Sequence, residues 1–117
     1  MDAYSGYNQI KLKKEDEEKT AFITPYGVFC QQVMPFGLKN AGATYQRMMQ
    51  NCPGSQIGRN IQVYIDDVVI TTREEKSLIS DLAETFDNLS RYKLKLNPTK
   101  CSFGVSVGQL LGFLVSA

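Results

Sequence analysis

Two adjacent aspartates, Asp66 and Asp67, lie between two short runs of residues that favour β-structure. Gln62-Val-Tyr-Ile65 precedes the pair and Val68-Val-Ile-Thr71 follows it. Because β-branched and aromatic residues fit a pleated, half-buried surface, each run predicts a strand. Two residues between two strands predict a hairpin, and Asp tolerates the backbone angles of such turns. The pattern therefore predicts antiparallel strands with two carboxylates where they meet.

The composition limits both the size of the protein and its chemistry. The chain has 117 residues, of which 43% are apolar and 21% charged, as in one globular domain. Lys plus Arg number 13 and Asp plus Glu 12, so binding to nucleic acid would need local basic patches. The absence of His excludes Ser-His-Asp catalysis, Cys-His catalysis and His-ligated zinc. Cys30, Cys52 and Cys101 lack metal-site and disulfide-framework spacing, and we interpret them as free thiols.

Extended and helical patterns alternate along the rest of the chain. Strands are predicted at 20–24, 28–33, 93–96 and 110–115, with turns at 25–27 and 97–98, and the charged run 13–19 is interpreted as a solvated turn. One helix is predicted from the N-cap Asn40 to Met49, with Ala41, Tyr45, Met48 and Met49 on one face and its end forced by Pro53 and Gly54. A second helix is predicted after a Thr72–Glu75 capping box, with Leu78, Ile79, Leu82, Phe86 and Leu89 packing into the core. This order predicts an α+β fold, an antiparallel sheet with two helices packed on one face.

The aspartate pair has a structural and a chemical interpretation. On the pair alone, a hairpin turn is the more common use of two such residues. Adjacent carboxylates also repel each other unless water or a cation neutralises them, and their oxygens are good Mg²⁺ ligands. A site for two ions needs a further carboxylate, and Asp2 is the candidate, although nothing local links it to the pair. We expect Asp2, one residue from the N-terminus, to be weakly held.

Six motifs along the chain resemble one known family. They are Asp2-Ala-Tyr-Ser-Gly-Tyr-Asn-Gln-Ile10, Lys19-Thr-Ala-Phe-Ile-Thr-Pro-Tyr-Gly27, Val33-Met-Pro-Phe-Gly-Leu-Lys-Asn-Ala41, Ala43-Thr-Tyr-Gln-Arg47, Tyr64-Ile-Asp-Asp67 and Leu96-Asn-Pro-Thr-Lys-Cys-Ser-Phe103. Each motif alone is only suggestive, but the six in this order are highly specific. Together they resemble the reverse transcriptase palm of gypsy-type long-terminal-repeat retrotransposons, of the kind abundant in plant genomes. The resemblance covers nearly the whole chain.

This resemblance implies template-directed addition of deoxynucleotides to a primer 3′ end. Asp2, Asp66 and Asp67 match the carboxylates that hold two Mg²⁺ ions, with Mn²⁺ as the alternative metal. Lys100 matches a lysine that protonates or neutralises the leaving pyrophosphate, and a solvated surface lysine is the competing interpretation.

The resemblance also implies contacts to the nucleotide and the primer. Tyr7 matches the aromatic residue that blocks a ribose 2′-OH by steric clash, and without the match it would be a core tyrosine. Phe36 and Gly37 match a loop beside the incoming nucleotide and template, and Gln46 follows on the next helix. The last set, Leu111, Gly112 and Phe113, resembles the hairpin that grips the primer, which is compatible with a buried strand.

The implied protein is a piece of a longer polyprotein. Residues 1–117 would be the palm with part of the fingers, without thumb, connection and ribonuclease H regions. The implied partners are an RNA or DNA template with its primer and deoxynucleoside triphosphates, inside the cell in a cytoplasmic virus-like particle. We expect no membrane segment and no signal peptide, because no stretch reaches roughly 20 apolar residues and the N-terminus is polar.

Three functions stay open at this point. The first is a reverse transcriptase palm that retains its metal site. The second is a catalytically inactive retroelement relic with at most weak nucleic-acid binding. The third is a binding module in which Asp66 and Asp67 only turn the chain, and the six ordered motifs make it the weakest of the three. Activity of the isolated chain is therefore left undecided by its sequence.

Overall fold

A computed structural model describes the backbone of residues 1–110 and 113–116 and the side chains of residues 1–108. The chain divides into two compact units, Met1–Tyr4 with Met49–Ala117 and Ser5–Met48. The main elements are α1 (Lys14–Glu17), β1 (Phe22–Thr24), β2 (Gly27–Phe29), α2 (Ala41–Asn51), β3 (Ile61–Tyr64), β4 (Asp67–Ile70), α3 (Leu78–Arg91), β5 (Val107–Leu110) and β6 (Phe113–Ser116). The described strands pair as antiparallel hairpins, β1 with β2, β3 with β4 and β5 with β6. The predicted α+β class with antiparallel strands is confirmed.

The β3–β4 hairpin has its turn one residue earlier than predicted. Tyr64 pairs with Asp67, so Ile65 and Asp66 form the turn and Asp67 is the first residue of β4. The prediction that Asp66 and Asp67 together form the turn is therefore wrong. Ile65 has a φ of 50°, in the left-handed region that a β-branched side chain disfavours. The two consecutive aspartates therefore occupy different structural positions, Asp66 in the turn and Asp67 in strand β4.

The N-terminal segment Met1–Tyr4 forms isolated β-bridges, with β4 through Asp2 and with Leu96 through Ala3. Met1 N donates to Val68 O at 2.6 Å, and Val68 N donates to Met1 O at 2.9 Å. On its other edge, Tyr4 N donates to Lys95 O at 2.9 Å and Asn97 N donates to Asp2 O at 3.0 Å. Backbone hydrogen bonds on both edges hold this segment in place, so the expectation of a weakly held Asp2 is wrong.

Helix α3 begins without the predicted capping box. The Thr72 hydroxyl donates to the Glu74 carbonyl at 3.0 Å, so it does not cap the helix N–H groups. A 3₁₀ turn, Glu75–Ser77, leads into the helix instead. Ser77, at the N-cap position, makes no side-chain capping hydrogen bond.

The predicted apolar stripe of α3 is only partly buried. Leu89 is buried, and Leu78 and Leu82 are half-buried, which confirms the core prediction for these leucines. Ile79 and Phe86 are exposed, so the prediction is wrong for them. The buried face of α3 therefore includes Leu89 and excludes two of the five apolar positions.

Helix α2 confirms its sequence pattern more fully. It begins directly after Asn40, whose carbonyl accepts from Thr44 N at 3.0 Å, and it ends at Asn51, before Pro53. Ala41, Tyr45 and Met49 are buried and Met48 is half-buried, as expected of one helix face.

The Ser5–Met48 unit contains the β1–β2 hairpin and a short charged helix. β1 and β2 are shorter than predicted, with three residues each, and Gly27 adopts a φ of 132° after the turn. The charged run forms α1 in place of a turn, and its exposed Lys19 pairs with Asp16 at 2.7 Å. Met34 N donates a hydrogen bond of 2.8 Å to Ile10 O, which links two segments of this unit that are distant in sequence.

The C-terminal third departs from its predicted strands. The alternation at 93–96 yields a single bridge, between Leu96 and Ala3. Lys93 adopts a left-handed φ of 55° and Leu94 N donates back to the Leu89 carbonyl, so these two residues close the helix and do not extend a strand. The predicted turn at Asn97 is confirmed, since its side chain accepts from Thr99 N at 3.2 Å. The single strand predicted at 110–115 is wrong, because β5 ends at Leu110 and pairs with β6. Within residues 1–110 and 113–116, no helix is long and apolar enough to cross a bilayer.

Candidate active site

The carboxylates predicted to bind metal lie on neighbouring backbone positions of one unit. Asp2 and Asp67 form an antiparallel bridge. Because Met1 and Val68 beside them exchange both backbone hydrogen bonds, Asp2 and Asp67 form a directly opposed pair without such bonds. The Cα atoms of such a pair are typically about 4.5 Å apart, with side chains on the same face of the sheet. The strand pairing thus brings together two aspartates that are distant in sequence.

Asp66 completes the group at the hairpin turn. Partial burial raises the pKa of its carboxyl above the usual range, and the negative charges of Asp2 and Asp67 raise the pKa further. The three carboxylates are therefore close enough to interact electrostatically. Their mutual repulsion is the effect that a bound cation would relieve.

Lys100 places a positive charge next to these acids. It ends the 3₁₀ turn Pro98–Lys100, and its Nζ lies 3.8 Å from Asp2 Oδ2. The Lys100 side chain is mostly exposed, whereas that of Asp2 is only 25% exposed. An exposed ion pair of this length contributes little to stability, so the lysine stays available to interact with an anionic ligand.

The donor set fits a divalent cation in its chemistry. Carboxylate oxygens are the ligands that Mg²⁺ prefers, and a Mg²⁺ ion usually keeps several waters and takes few protein ligands. In the part of the chain that the structure describes, no three His, Cys, Asp or Glu side chains are gathered into a closed metal-binding group. The backbone therefore positions the three aspartates, while their side chains do not surround one point.

A cavity of about 730 Å³ lies beside this group in the same unit. Asp67 and Lys100 contribute to its wall, together with Met1. Apolar side chains of β4 and α3 form much of the remaining lining, including Val69, Leu78 and Leu82. Two of the predicted catalytic residues thus border a space large enough for a small ligand.

The predicted nucleotide-binding residues belong to the Ser5–Met48 unit. The rings of Tyr7 and Phe36 have centroids 4.7 Å apart, tilted by 51°. The Tyr7 ring has a second aromatic neighbour, Tyr45, which stacks on it with centroids 4.8 Å apart and an interplanar angle of 21°. Gly37 follows with a φ of 92°, while Gln46 is exposed on α2. The structure therefore brings Tyr7 and Phe36 together and leaves Gln46 exposed on α2.

Tyr45 is a site-forming residue that sequence reasoning assigned only to the core. It is 1% exposed, which confirms the core assignment, and it also supports the Tyr7 ring. A signal was present in Gly6, whose missing side chain leaves room for the Tyr45 ring. The predicted primer-binding residues Leu111 and Gly112 lie outside the described residues, as does the side chain of Phe113.

The backbone arrangement is shared with solved polymerases. The foamy viral protease-reverse transcriptase in complex with an RNA/DNA hybrid matches 98% of this chain and 15% of its own, with a TM-score of 0.88 and 21% identity. The same viral protein in complex with double-stranded DNA matches 98% of this chain and 25% of its own, with a TM-score of 0.87 and 20% identity. At this identity the likeness defines the fold alone, which this chain shares with part of the viral protein.

Sequence comparison defines the family. The profile of the family described as reverse transcriptase (RNA-dependent DNA polymerase) matches residues 1–115. The Retrovirus-related Pol polyprotein from transposon opus of Drosophila melanogaster is 36% identical over 117 residues, which are 100% of this chain and 12% of the relative. The Transposon Tf2-3 polyprotein of Schizosaccharomyces pombe is 31% identical over 116 residues, which are 99% of this chain and 9% of the relative. The chain belongs to the reverse transcriptase family, and it spans about a tenth of the length of these curated relatives.

Proposed function

We propose that this chain is the palm, with part of the fingers, of an RNA-directed DNA polymerase from a gypsy-type long-terminal-repeat retrotransposon. Its reaction would be the addition of deoxynucleotides to a primer 3′ end on an RNA or DNA template. The observation that carries the proposal is the bridge that sets Asp2 opposite Asp67, one residue from Asp66. The viral proteins of the same fold, solved with an RNA/DNA hybrid and with double-stranded DNA, support nucleic acid as the partner.

The three aspartates would hold Mg²⁺, or Mn²⁺ in its place. Two such ions supply charge stabilisation to the attacking and leaving oxygens of an in-line displacement. Asp2 and Asp67 would present their carboxylates from paired strands, and Asp66 would present its carboxylate from the turn. Lys100, whose Nζ is 3.8 Å from Asp2 Oδ2, would neutralise or protonate the departing pyrophosphate.

The aromatic group of the other unit would bind the nucleotide. Tyr7 would exclude a ribose 2′-OH by clash, and Tyr45 stacked on it limits how far the Tyr7 ring can retreat. Phe36 is 72% exposed and offers its ring face to a base, since stacking on an aromatic ring tolerates any base. The positive φ of Gly37 would allow close approach of the template backbone, and Gln46 is the adjacent polar contact.

Primer extension on an RNA template tests the proposal. The folded chain should extend a primer in the presence of Mg²⁺, and Asp66→Asn and Asp67→Asn should each abolish extension. Asp87→Asn, which removes one exposed carboxylate from α3, is the matched control and should retain activity. Extension that survives in both hairpin variants would refute the assignment of these residues.

A second candidate is a fragment that binds metal and nucleic acid weakly without polymerising. The apolar exposure of the β1–β2 hairpin favours it, because Ile23 is 86% and Tyr26 92% exposed, as expected of a surface that packs against a partner when it functions. In that case the folded chain shows no extension, while Mn²⁺ binding measured by paramagnetic resonance still depends on Asp66. Absence of both extension and Asp66-dependent binding would contradict the two candidates together.

A further inference from the structure

Three buried polar side chains and one half-buried asparagine form a cluster between the loop that follows α2 and helix α3. They are Gln56, Asn60, Thr85 and Asn88, called here the Gln56 cluster. Gln56 is 0% exposed, Thr85 1% and Asn60 8%. Polar side chains of this size are seldom so completely buried, and when they are, they are hydrogen-bonded. No polymerase motif of the chain includes this loop, so the burial requires another explanation.

Gln56 is the centre of the cluster because its amide uses both of its polar atoms. Its Nε2 donates to Thr85 Oγ1 at 3.1 Å and to Asn60 Oδ1 at 3.3 Å. Its Oε1 accepts from Asn88 Nδ2 at 2.8 Å. Thr85 Oγ1 donates onward to the Asp81 carbonyl at 2.8 Å, so each hydroxyl and amide has a complementary partner. An amide of this length and polarity is therefore specified at position 56.

The cluster is joined to the base of the β3–β4 hairpin through Asn60. Asn60 directly precedes β3, and its N–H donates to the Gln56 carbonyl at 3.0 Å. The Asn60 carbonyl accepts from Thr71 N at 2.9 Å, and Thr71 directly follows β4. Both ends of the hairpin thus meet at a residue that Gln56 contacts through its main chain and its side chain.

We infer that Gln56 is a positioning residue that fixes the β3–β4 hairpin against α3 and thereby sets the location of Asp66 and Asp67. The catalytic consequence rests on the proposed function. The strand length places the turn roughly 13 Å from the hairpin base, so Gln56 acts through the strands and not by contact. The strands can transmit the position because Ile61 of β3 and Val68 of β4 are buried, at 1% and 2% exposure. Removing the amide deletes the donor to Thr85 Oγ1 and leaves Asn88 Nδ2 with the Pro53 carbonyl alone, so the hairpin base can then shift.

The test compares variants that remove the hydrogen bonds while keeping the volume. Gln56→Met keeps the length of the side chain, and Thr85→Val keeps its shape while deleting the hydroxyl. Thr85→Ser keeps the hydroxyl and should behave like the original chain. Leu89→Ala is the control for general loss of stability, because Leu89 is buried on the same helix and takes no part in the cluster.

Two measurements separate positioning from stability. Hydrogen exchange at the Thr71 amide and at the hairpin amides should be about tenfold faster in Gln56→Met and Thr85→Val than in Leu89→Ala. The exchange rates are compared after correction for the loss of melting temperature that each variant shows. Mn²⁺ affinity should fall about tenfold in the same two variants, the usual effect of disturbing groups that support metal ligands. Equal exchange rates in Leu89→Ala and the cluster variants would overturn the inference. If Gln56→Met does not fold, Thr85→Val decides by the same criteria.

The exchange measurement also keeps the two proposals apart. If the unmodified chain binds no Mn²⁺ and extends no primer, the proposed function fails, while faster hairpin exchange still supports positioning by Gln56. If the unmodified chain is active and the cluster variants change neither exchange nor Mn²⁺ affinity, only the positioning role fails.

Discussion

Among the described glycines, Gly6 has the least room for a side chain. A Cβ there would lie 2.5 Å from Tyr45 Cε2 and 2.6 Å from Tyr45 Oη, well inside ordinary contact. Tyr45 is 1% exposed and stacks on Tyr7, so its ring cannot turn into solvent. Gly6→Ala should therefore destabilise the chain by roughly 1–3 kcal/mol, the usual cost of overpacking. At about 4 °C per kcal/mol, the melting temperature should fall by roughly 4–12 °C.

Gly42→Ala is the matched control, because it makes the same chemical change in the same unit. A Cβ at Gly42 would have Tyr7 Oη as its near neighbour, at an ordinary 3.8 Å. Gly42 lies in α2, where Ala is favoured over Gly by about 0.5–1 kcal/mol. Circular dichroism melts and urea unfolding should therefore show opposite signs for the two substitutions.

A double-mutant cycle with Tyr45 identifies the cause. Tyr45→Ala alone should cost about 3–5 kcal/mol, as for other large buried aromatic residues. In the double variant the methyl group added at position 6 no longer meets the Tyr45 ring, so the two costs should fall short of additivity by roughly 1–3 kcal/mol. Additive costs, or a Gly6→Ala chain as stable as the original, would refute the packing argument.

Three further substitutions test other parts of the molecule. Burial and the neighbouring carboxylates raise the pKa of Asp66 in the folded chain, so the folded state loses stability as pH rises through that pKa. Asp66→Asn should therefore raise the free energy of unfolding by a few tenths of a kcal/mol at about pH 7 and leave it unchanged at about pH 2.5, as measured by urea unfolding. Lys19→Met should leave the urea midpoint unchanged, because the Lys19–Asp16 pair is exposed and such pairs contribute little; a clear shift would contradict this. Met49 is 0% exposed, so Met49→Ala should cost about 2–5 kcal/mol and Met49→Leu less than about 1.5 kcal/mol by thermal unfolding, and equal costs would argue against a packed site.

Elements with strong local patterns could be predicted from the sequence. The α2 face of Ala41, Tyr45 and Met49 is buried as its spacing predicts, since a single helical period decides which residues face inward. The β3–β4 strands likewise follow from two β-favouring runs. The carboxylates of the candidate site were predicted from ordered motifs. The structure pairs Asp2 with Asp67, and their role in metal binding stays a prediction.

Features that depend on tertiary contacts could not be predicted. The turn at Ile65 and Asp66 needs a left-handed β-branched residue, which local preference argues against. The pairing of Met1 and Asp2 with β4 joins segments that no local pattern connects. Gln56 has no sequence signal either, because a glutamine in a loop is ordinarily exposed and only the packing of α3 buries it.

The two-sided pairing of residues 1–4 also sets an order for folding. Met1 reaches Val68, 67 residues away, and the Asp2 carbonyl accepts from Asn97 N, still later in the chain. Closing such long loops costs chain entropy that local hairpins avoid, so these contacts should form after β3, β4 and α3. During synthesis, roughly 95 residues separate Asp2 from its last partner, an interval of roughly 5–20 s at ribosomal rates. Throughout that time the first carboxylate of the group is made but not yet in place, so a nascent chain cannot carry a complete site.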